Sequence, residues 1–456
     1  MKSWRLPLGP ALALGLLTAC GAAPGPVDLP LTLPEAFSAA GEAPRADRWW
    51  LAFGEPALDA LMGAAFAHNL TLRAAQHRLA QAAAVARRAG AETSPSVEAS
   101  VGAGVRFPAH RGAEPAFPLG ISARYELDLF GRIDAVQQAA VLDAQVSETA
   151  VQTTALALAG QVASTYYQLG ERQGQLRVLE AQAALNRQVL ELLELRFGLG
   201  KVGVQDVLRQ RQLLESAVGE QARVQADLAV LSHRLAVLQG QAPMATTPPE
   251  PTAELPPLPA AGLPAELIQR RPDVVGARLR VEAADRRLAA ALADRFPRIS
   301  LSASATSVHA ADIIDNWLVN LGANLVAPLI DGGERAAEVD RTRAATEEAL
   351  ALYGQTVLDA LTEVEDALAR EHNQQVLIAS LDRQLALAAA AVERARERFM
   401  VGAISYVDVL DALRTHQGLE RSRLTARGDL FQHRIDLYRA LAGGLPLEPT
   451  SQKGPP

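Results

Sequence analysis

The chain has 456 residues, of which 49% are hydrophobic, 21% charged and only 4% aromatic. Its formal net charge of -7 lacks the basic footprint of a general nucleic-acid binder, so no nucleic-acid partner is expected. A single cysteine, Cys20, excludes any disulfide within the chain. Alanine supplies much of the apolar content, which is typical of closely packed long helices.

The N-terminus has the features of a secretion signal. Two basic residues precede an apolar stretch at positions 6–17, which has the length of a signal peptide core. The following Leu-Thr-Ala-Cys-Gly resembles the bacterial lipobox, which predicts a signal peptide at 1–19 and covalent lipid on Cys20. Gly21, in place of Asp, indicates delivery to the outer membrane. The alternative is an unmodified Cys20 behind an ordinary signal peptide.

The chain contains an internal repeat with an offset of 202 residues. Arg196–Gly200, followed by Asp206–Leu208, corresponds to Arg398–Gly402, followed by Asp408–Leu410. These landmarks predict a first repeat at 69–242 and a second at 265–443, with a tail at 444–456. The segment between the repeats, 243–264, holds eight prolines and is predicted to be a linker.

Each repeat contains two runs in which apolar and polar residues alternate, at 96–106 and 119–129 and again at 298–306 and 317–327. Period-two alternation predicts strands with one apolar and one polar face, and runs of about 9–11 residues suit tilted transmembrane strands. The alternative is a half-buried sheet in a soluble domain.

No apolar run beyond the N-terminus approaches the length of about 20 residues that a transmembrane helix needs, so any crossing is predicted to be by strands. Four strands cannot close a barrel around a pore, and an open edge is forbidden in lipid. Several copies must therefore share one barrel. Three copies would give a barrel of twelve strands, and the strand count alone also permits two or four copies.

Two unusually long helices are predicted at 131–197 and 334–399, because both segments lack proline and are rich in good helix formers. At 1.5 Å per residue each would extend roughly 100 Å. A short turn follows each one, and shorter helices return at 204–239 and 406–442. Further helices are predicted at 69–91 and 272–294. Such lengths indicate coiled-coil packing, and the interrupting strands argue against a cytoskeletal coiled coil.

The sequence resembles the TolC-type outer membrane factors, in particular their lipidated efflux branch, which includes OprM and NodT. The likeness covers nearly all of the mature chain and is carried by four stretches: Trp49–Phe53, Tyr125–Arg132, Leu263–Val274 and Leu437–Gly444. The resemblance implies a mixed α and β membrane protein built as a homotrimer. A twelve-stranded transmembrane barrel, with four strands per chain, would continue into a long α-helical coiled-coil tunnel through the periplasm.

The resemblance also implies where the chain works and with what. Segment 20–68 would be lipid-anchored and contribute, with the linker, to an equatorial region between barrel and tunnel. The channel would lie in the outer membrane in contact with its lipid. A periplasmic adaptor and an inner-membrane pump, expected to be of the RND type, would dock at its lower end. The implied function is that of a passive duct for small molecules in tripartite efflux.

Neither an enzyme nor a metal protein is indicated. The sequence lacks the HExxH, P-loop and CxxC motifs, and the eight His residues show no metal-ligand spacing. Gly102 and Gly104 lack the third glycine of a dinucleotide site. No cofactor is expected apart from the covalent lipid on Cys20.

The informative candidate site is the start of the second return helix. Asp408 and Asp411 lie three residues apart and therefore on one helix face. In the family the matching aspartates face the channel axis, where symmetry would form rings of three carboxylates. Such rings constrict the pore and favour cations. Val407 would add an apolar constriction, and the alternative is an exposed Asp pair.

The two repeats differ in charge at this site. Arg414 resembles a gate-locking residue, with Asp411 or a neighbouring helix as its expected partner. Asp206 matches Asp408, but Arg209 stands at the position of Asp411. The second hairpin is therefore expected to line the gate and move, and the first to be more static.

The hairpin turns are predicted to be tips that face the adaptor, with simple turn chemistry as the alternative. They comprise Gly200, Lys201, Val202 and Gly203 in the first repeat and Val401, Gly402, Ala403 and Ile404 in the second.

Two other functions are alternatives to efflux. A periplasmic adaptor lipoprotein would have one helical hairpin between lipoyl-like β segments, which fits the duplicated pattern poorly. A channel for type I protein secretion has the same architecture, and the lipobox together with Leu263–Leu267 favours efflux. The transported substrate is expected to depend on the pump.

Overall fold

The structure is a computed structural model in which residues 31–39, 41, 48–107, 112–244, 248–251, 254–307, 317–442 and 445 are described. The predicted signal peptide and Cys20 lie outside the described residues. Helices dominate the described chain. After a 3-10 helix at Trp49–Phe53 they are α1 Pro56–His68, α2 Leu70–Ala91, α3 Arg132–Gly198, α4 Val204–Leu238, α5 Pro264–Arg270, α6 Pro272–Ala293, α7 Glu334–Met400 and α8 Tyr406–Leu441.

The helix predictions are confirmed to within one or two residues at each end. The two long helices have the same length, 67 residues, as duplication requires. Gly131 precedes α3 with a φ of 73°, in the left-handed region that glycine adopts without strain. Three short helices escaped prediction: the 3-10 helix, α1 and α5. The last begins at Pro264, the final residue of the predicted linker, because proline suits the first helical turn.

The described strands are β1 Ser96–Val101, β2 Gly104–Arg106, β3 Glu114–Ala116, β4 Leu119–Leu127, β5 Arg298–Ser307 and β6 Leu318–Val326. The prediction of one continuous strand at 96–106 is wrong. The run breaks after Val101 because the amide of Gly102 donates to the Pro118 carbonyl at 2.8 Å, and β2 then pairs with β3. The strand predicted at 119–129 ends at Leu127, since Asp128 accepts a hydrogen bond from the Asp134 amide in the first turn of α3.

The chain divides into two compact units. The first holds 78–148 and 276–355, and its centre is a four-stranded antiparallel sheet of order β1-β4-β5-β6. The strands of the two repeats meet where β4 pairs with β5, with Ala123 opposite Ala303. The apolar face is exposed, with Val101 and Leu321 each 81% accessible. The opposite face carries Ser, Asn and Gly residues, as the alternation predicted.

The second unit holds 33–77, 149–275 and 356–456 and is mainly helical. One part of its core is aromatic: Trp49 stacks on Tyr438 at 6.0 Å, and Phe53 contacts the same ring at 5.6 Å. Nearby, the Arg434 guanidinium is paired with Glu371, and both side chains are 3% exposed. Arg434 also donates to the Pro256 carbonyl, so a buried ion pair attaches the linker to α7 and α8.

No continuous apolar run of transmembrane length occurs beyond the N-terminus, but one helix of the described residues has the length and mean hydropathy of a membrane span. Helix α7 contains an 18-residue stretch that is long and apolar enough to cross a membrane, of which 11% is buried. The reason is that alanine and leucine, which suit a packing helix, also raise its hydropathy. One such helix is weak evidence for a membrane span.

Candidate functional site at the hairpin tips

The two hairpin turns have the same backbone hydrogen bonds. Gly200 and Gly402 take positive φ values of 68° and 77° after α3 and α7. In each turn the glycine amide donates three residues back, and the next amide donates five residues back, from Lys201 to the Arg196 carbonyl and from Ala403 to the Arg398 carbonyl. These are Schellman motifs, which satisfy the last carbonyls of a helix.

The predicted tip residues divide into exposed and packed ones. Val202 and Ile404 are half-buried and pack on the hydrophobic cluster between α3, α4 and α8. The other predicted tip residues are exposed: Gly200, Lys201, Gly203, Val401, Gly402 and Ala403. Each turn therefore anchors one aliphatic side chain, and its exposed residues are glycine or alanine together with Lys201 in the first turn and Val401 in the second.

The helices that return from the turns are capped differently. Ser405 caps α8 in a capping box, in which Asp408 Oδ2 accepts from the Ser405 amide at 3.0 Å and from its hydroxyl at 2.8 Å. Gly203 precedes α4 and offers no side-chain cap. Asp408 therefore has a structural role that its spacing from Asp411 did not reveal. Its Oδ2 atom accepts both capping hydrogen bonds.

The predicted gate side chains lie on the exposed side of α8. Asp408 and Asp411 are exposed, and Val407 is 43% accessible. Arg414 donates from Nη2 to Gln212 Oε1 on α4 at 2.7 Å, so its partner lies on a neighbouring helix and is not Asp411. Gln212 and Arg414 occupy equivalent positions in the two repeats.

In the first repeat, Asp206 lies 3.9 Å from the Arg209 guanidinium, one turn away on the same helix. Asp206 is half-buried, unlike its counterpart Asp408. The two repeats, which differ in charge by sequence, therefore also differ in contacts. Asp206 lies near Arg209, whereas Asp408 caps its helix through Ser405.

A buried tyrosine that the sequence reasoning missed joins the two hairpins. Tyr406 is 2% exposed, and its hydroxyl donates to Gln210 Oε1 at 2.5 Å. Burial raises the pKa of Tyr406 well above its ordinary value, and Asp206 adds to the shift. The sequence signal was the stripe that Tyr406 begins, which recurs every three or four residues through Val409, Leu410, Leu413 and Gln417.

Polar side chains continue this contact along the helices. Gln210 donates to the Asn186 carbonyl at 2.7 Å, and Gln417 donates to Asn186 Oδ1 at 3.1 Å. One turn further along α3, Gln182 donates to the Gln417 carbonyl at 3.1 Å. Because these four side chains are buried, an unmet hydrogen bond would be costly, and the pairing specifies how α8 sits against α3 and α4.

A cation–π contact lies at the ends of the long helices. The Arg196 guanidinium lies 4.8 Å from the centre of the Phe399 ring, and that ring lies 5.5 Å from the Tyr406 ring. Both hairpin ends are thus held together within one chain. In the described part of the chain, no group of three or more His, Cys, Asp or Glu side chains is placed to hold a metal ion.

Comparison with known proteins gives a consistent result over most of the chain. The family model described as outer membrane efflux protein matches residues 61–241 and 263–443, one match for each repeat. The pyoverdine export outer membrane protein OpmQ of Pseudomonas aeruginosa is 33% identical, with 94% of this chain and 95% of that protein covered. The cation efflux system protein CusC of Escherichia coli K12 is 28% identical, with 96% and 99% covered.

The fold is shared with solved channels. The outer membrane protein VceC of Vibrio cholerae superposes with a TM-score of 0.82 at 25% identity, covering 88% of this chain and 100% of that chain. The outer-membrane channel OprN superposes with a TM-score of 0.84 at 27% identity, covering 92% and 99%.

Proposed function

Since this chain belongs to the outer membrane efflux protein family, we propose that three copies form one passive duct across the outer membrane. The observation that carries this proposal is the exposed apolar face of the sheet, bounded by β1 and β6 as its edges. Apolar side chains facing outward suit lipid, but unpaired edge amides and carbonyls do not. Pairing β1 of one copy with β6 of the next would remove every edge, and three copies would supply twelve strands.

The helical unit would then continue the duct into the periplasm. Its hairpin tips would meet a periplasmic adaptor, which links the duct to an inner-membrane pump of the RND type. The exposed glycine and alanine residues at the turns support this assignment, because their small side chains permit close approach of partner helices. Lipid on Cys20 would anchor the N-terminus in the same membrane, as the lipobox suggests.

The cargo is left to the pump in this proposal. The names of the relatives point to different cargos, pyoverdine for OpmQ and cations for CusC. A passive duct that serves such different pumps needs little selectivity of its own. Small molecules delivered by the pump are therefore the proposed cargo.

The proposed constriction is formed by the exposed carboxylates of α8. With threefold symmetry, Asp408 and Asp411 would each form a ring of three negative charges, and Val407 would narrow the pore beside them. Like charges that converge attract cations, so small and cation-selective currents are expected.

The experiment is single-channel recording in planar bilayers, with native mass spectrometry to count copies. We expect a trimer with small cation-selective currents. A monomer without currents would refute the shared barrel.

The gate is tested with Asp408→Asn combined with Asp411→Asn, because asparagine keeps the hydrogen-bond acceptor that caps α8 and removes only the charge. Conductance should rise and block by divalent cations should weaken, whereas Asp206→Asn should leave both near wild type. Unchanged conductance and unchanged block in the double variant would reject the rings.

A further inference from the structure

A cleft on the helical unit, lined by α3, α4 and α8, includes Arg414 but neither of the aspartates assigned to the gate. It encloses about 260 Å³, and its polar lining comprises Gln212, Ser216, Glu220, Arg414, Gln417 and Arg421. Leu179, Leu213 and Ala217 form its apolar surface. Arg414 and Arg421 lie seven residues apart, two turns of α8, and therefore on one helix face.

The two arginines of the cleft are bound only to neutral amides. Arg414 donates to Gln212 Oε1 at 2.7 Å, and Arg421 donates from Nη1 to Gln182 Oε1 at 2.6 Å. Over the described residues, neither guanidinium has a carboxylate within 4.0 Å. Two other arginines near the cleft, Arg172 and Arg223, do have one.

The carboxylates near the cleft already have other partners. Glu220 accepts from Arg223 at 2.6 Å. Glu420, adjacent to Arg421 in the chain, accepts from Gln182 Nε2 at 2.8 Å. Over the described residues, neither Glu220 nor Glu420 therefore forms an ion pair with Arg414 or Arg421.

An adjoining cavity of about 630 Å³ shares Glu220 and Arg421 with this cleft, but its further arginines are paired. Arg172 lies 3.4 Å from both Glu171 and Asp227, and Arg223 binds Glu220. Among the arginines that line these two cavities, Arg414 and Arg421 are thus the two without a carboxylate within 4.0 Å in the described part of the chain.

The donors that remain free suit an anion. Each guanidinium has five N–H donors and uses one in the hydrogen bonds given above, and the Ser216 hydroxyl also lines the cleft. Guanidinium groups bind carboxylates through charge-assisted hydrogen bonds, which are stronger than neutral ones. The apolar surface beside them would contact a short carbon chain.

We propose that this cleft binds the carboxylate group of a small organic anion between Arg414 and Arg421. Its volume admits a molecule of a few carbon atoms and excludes a helix from a protein partner. The site does not depend on the channel function, because it is formed within one chain.

The test is isothermal titration calorimetry of the full-length protein in detergent at low chloride, with succinate as the probe. Succinamide is the matched ligand, since it has the same carbon chain but no charge. We expect saturable binding of succinate at one site per chain, competition by chloride, and no heat of binding from succinamide.

The variant is Arg414→Gln combined with Arg421→Gln, which should weaken succinate binding tenfold or more. Its control is Arg370→Gln combined with Arg394→Gln, which removes equal charge from exposed arginines of α7 outside the cleft and should bind like wild type. Absence of succinate binding to the wild type, equal binding of succinamide, or undiminished binding to the cleft variant would each overturn the proposal. The two ligand comparisons use wild-type protein and stand even where a variant does not fold.

Discussion

The two hairpin tips of this chain share a turn backbone and differ in the caps and buried side chains of the helices that follow. Both turns end a 67-residue helix with a Schellman motif around a left-handed glycine, Gly200 or Gly402. At the first residue of the return helix, Val204 is 52% exposed, whereas its counterpart Tyr406 is 2% exposed. Duplication has therefore preserved the turn, which needs only glycine and periodicity, while the side chains after it have diverged.

This difference bears on which hairpin moves. The sequence favoured a mobile second hairpin and a static first one, and that stays a prediction. In the structure, α8 is attached to the first hairpin through Tyr406, Gln417 and their partners on α3 and α4. Any movement of α8 alone must break these buried hydrogen bonds, so movement without loss of them would require the hairpins to move together.

The largest effect is expected at the pair Tyr406 and Val204. Tyr406→Ala should lower the free energy of unfolding by about 3–5 kcal/mol, because it leaves a cavity and an unpaired Gln210 oxygen. Val204→Ala should cost about 0.5 kcal/mol or less, since the side chain is exposed. Urea denaturation followed by circular dichroism of the helices measures both. Equal losses would mean that the two tips are equivalent after all.

A smaller effect is expected from the caps. Asp408→Ala should cost about 1 kcal/mol more than Asp206→Ala, because only Asp408 belongs to a capping box. Asp408→Asn, which keeps an acceptor for the Ser405 amide, should recover most of the loss. The same denaturation curves decide this, and a loss from Asp408→Asn as large as that from Asp408→Ala would assign the effect to charge and not to capping.

The smallest effect is expected on the pH dependence of stability. It concerns Glu171 and Asn373, which occupy equivalent positions in the two repeats. Burial raises the pKa of Glu171; Asp429 raises it further, whereas Arg172 opposes the shift. A raised pKa means that the folded state favours the protonated acid. The stability that Glu171 contributes is therefore present below its ordinary value of 4.5 and is lost as pH rises through the folded-state pKa.

Glu171→Gln should remove this part of the pH dependence, measured as thermal unfolding at a series of pH values from about 4.5 upward. The control is Asn373→Gln, since Asn373 is exposed and its amide donates to the Ala369 carbonyl. The control should keep the wild-type profile. Parallel profiles for wild type and Glu171→Gln would show that Glu171 does not titrate over this interval.

Local signals account for the elements that were predicted well. Helices α3 and α7 follow from long proline-free segments, and the turns after them follow from glycine at equivalent positions. The strand at 96–106 was overextended because alternation continues through Gly102, whereas the hydrogen bond from its amide to Pro118 joins residues sixteen apart. Pattern along the chain cannot show such a partner.

The sequence also predicted those features of the candidate site that depend on spacing along one helix, and not those that depend on a neighbouring helix. The spacing of Asp408 and Asp411 placed both carboxylates on one exposed face, as the structure has them. The capping bond of Asp408 could have been predicted from the sequence, because serine followed three residues later by an acid is a known cap signature. For Arg414 the sequence allowed two partners, Asp411 or a residue of a neighbouring helix. Helix spacing could not decide between them, because it does not show which helix packs beside Arg414.

What the sequence by itself determined is therefore everything set by neighbours along the chain: the duplication, the two long helices, the alternating strands, the turns and the family. Only the tertiary structure decided which side chains meet across helices, such as Tyr406 with Gln210 and Arg434 with Glu371. It also decided which charged side chains bind neutral amides and not carboxylates, as Arg414 and Arg421 do in the cleft. The physical reason is that periodicity fixes the face on which a side chain lies, whereas burial and pairing depend on the element that packs against that face.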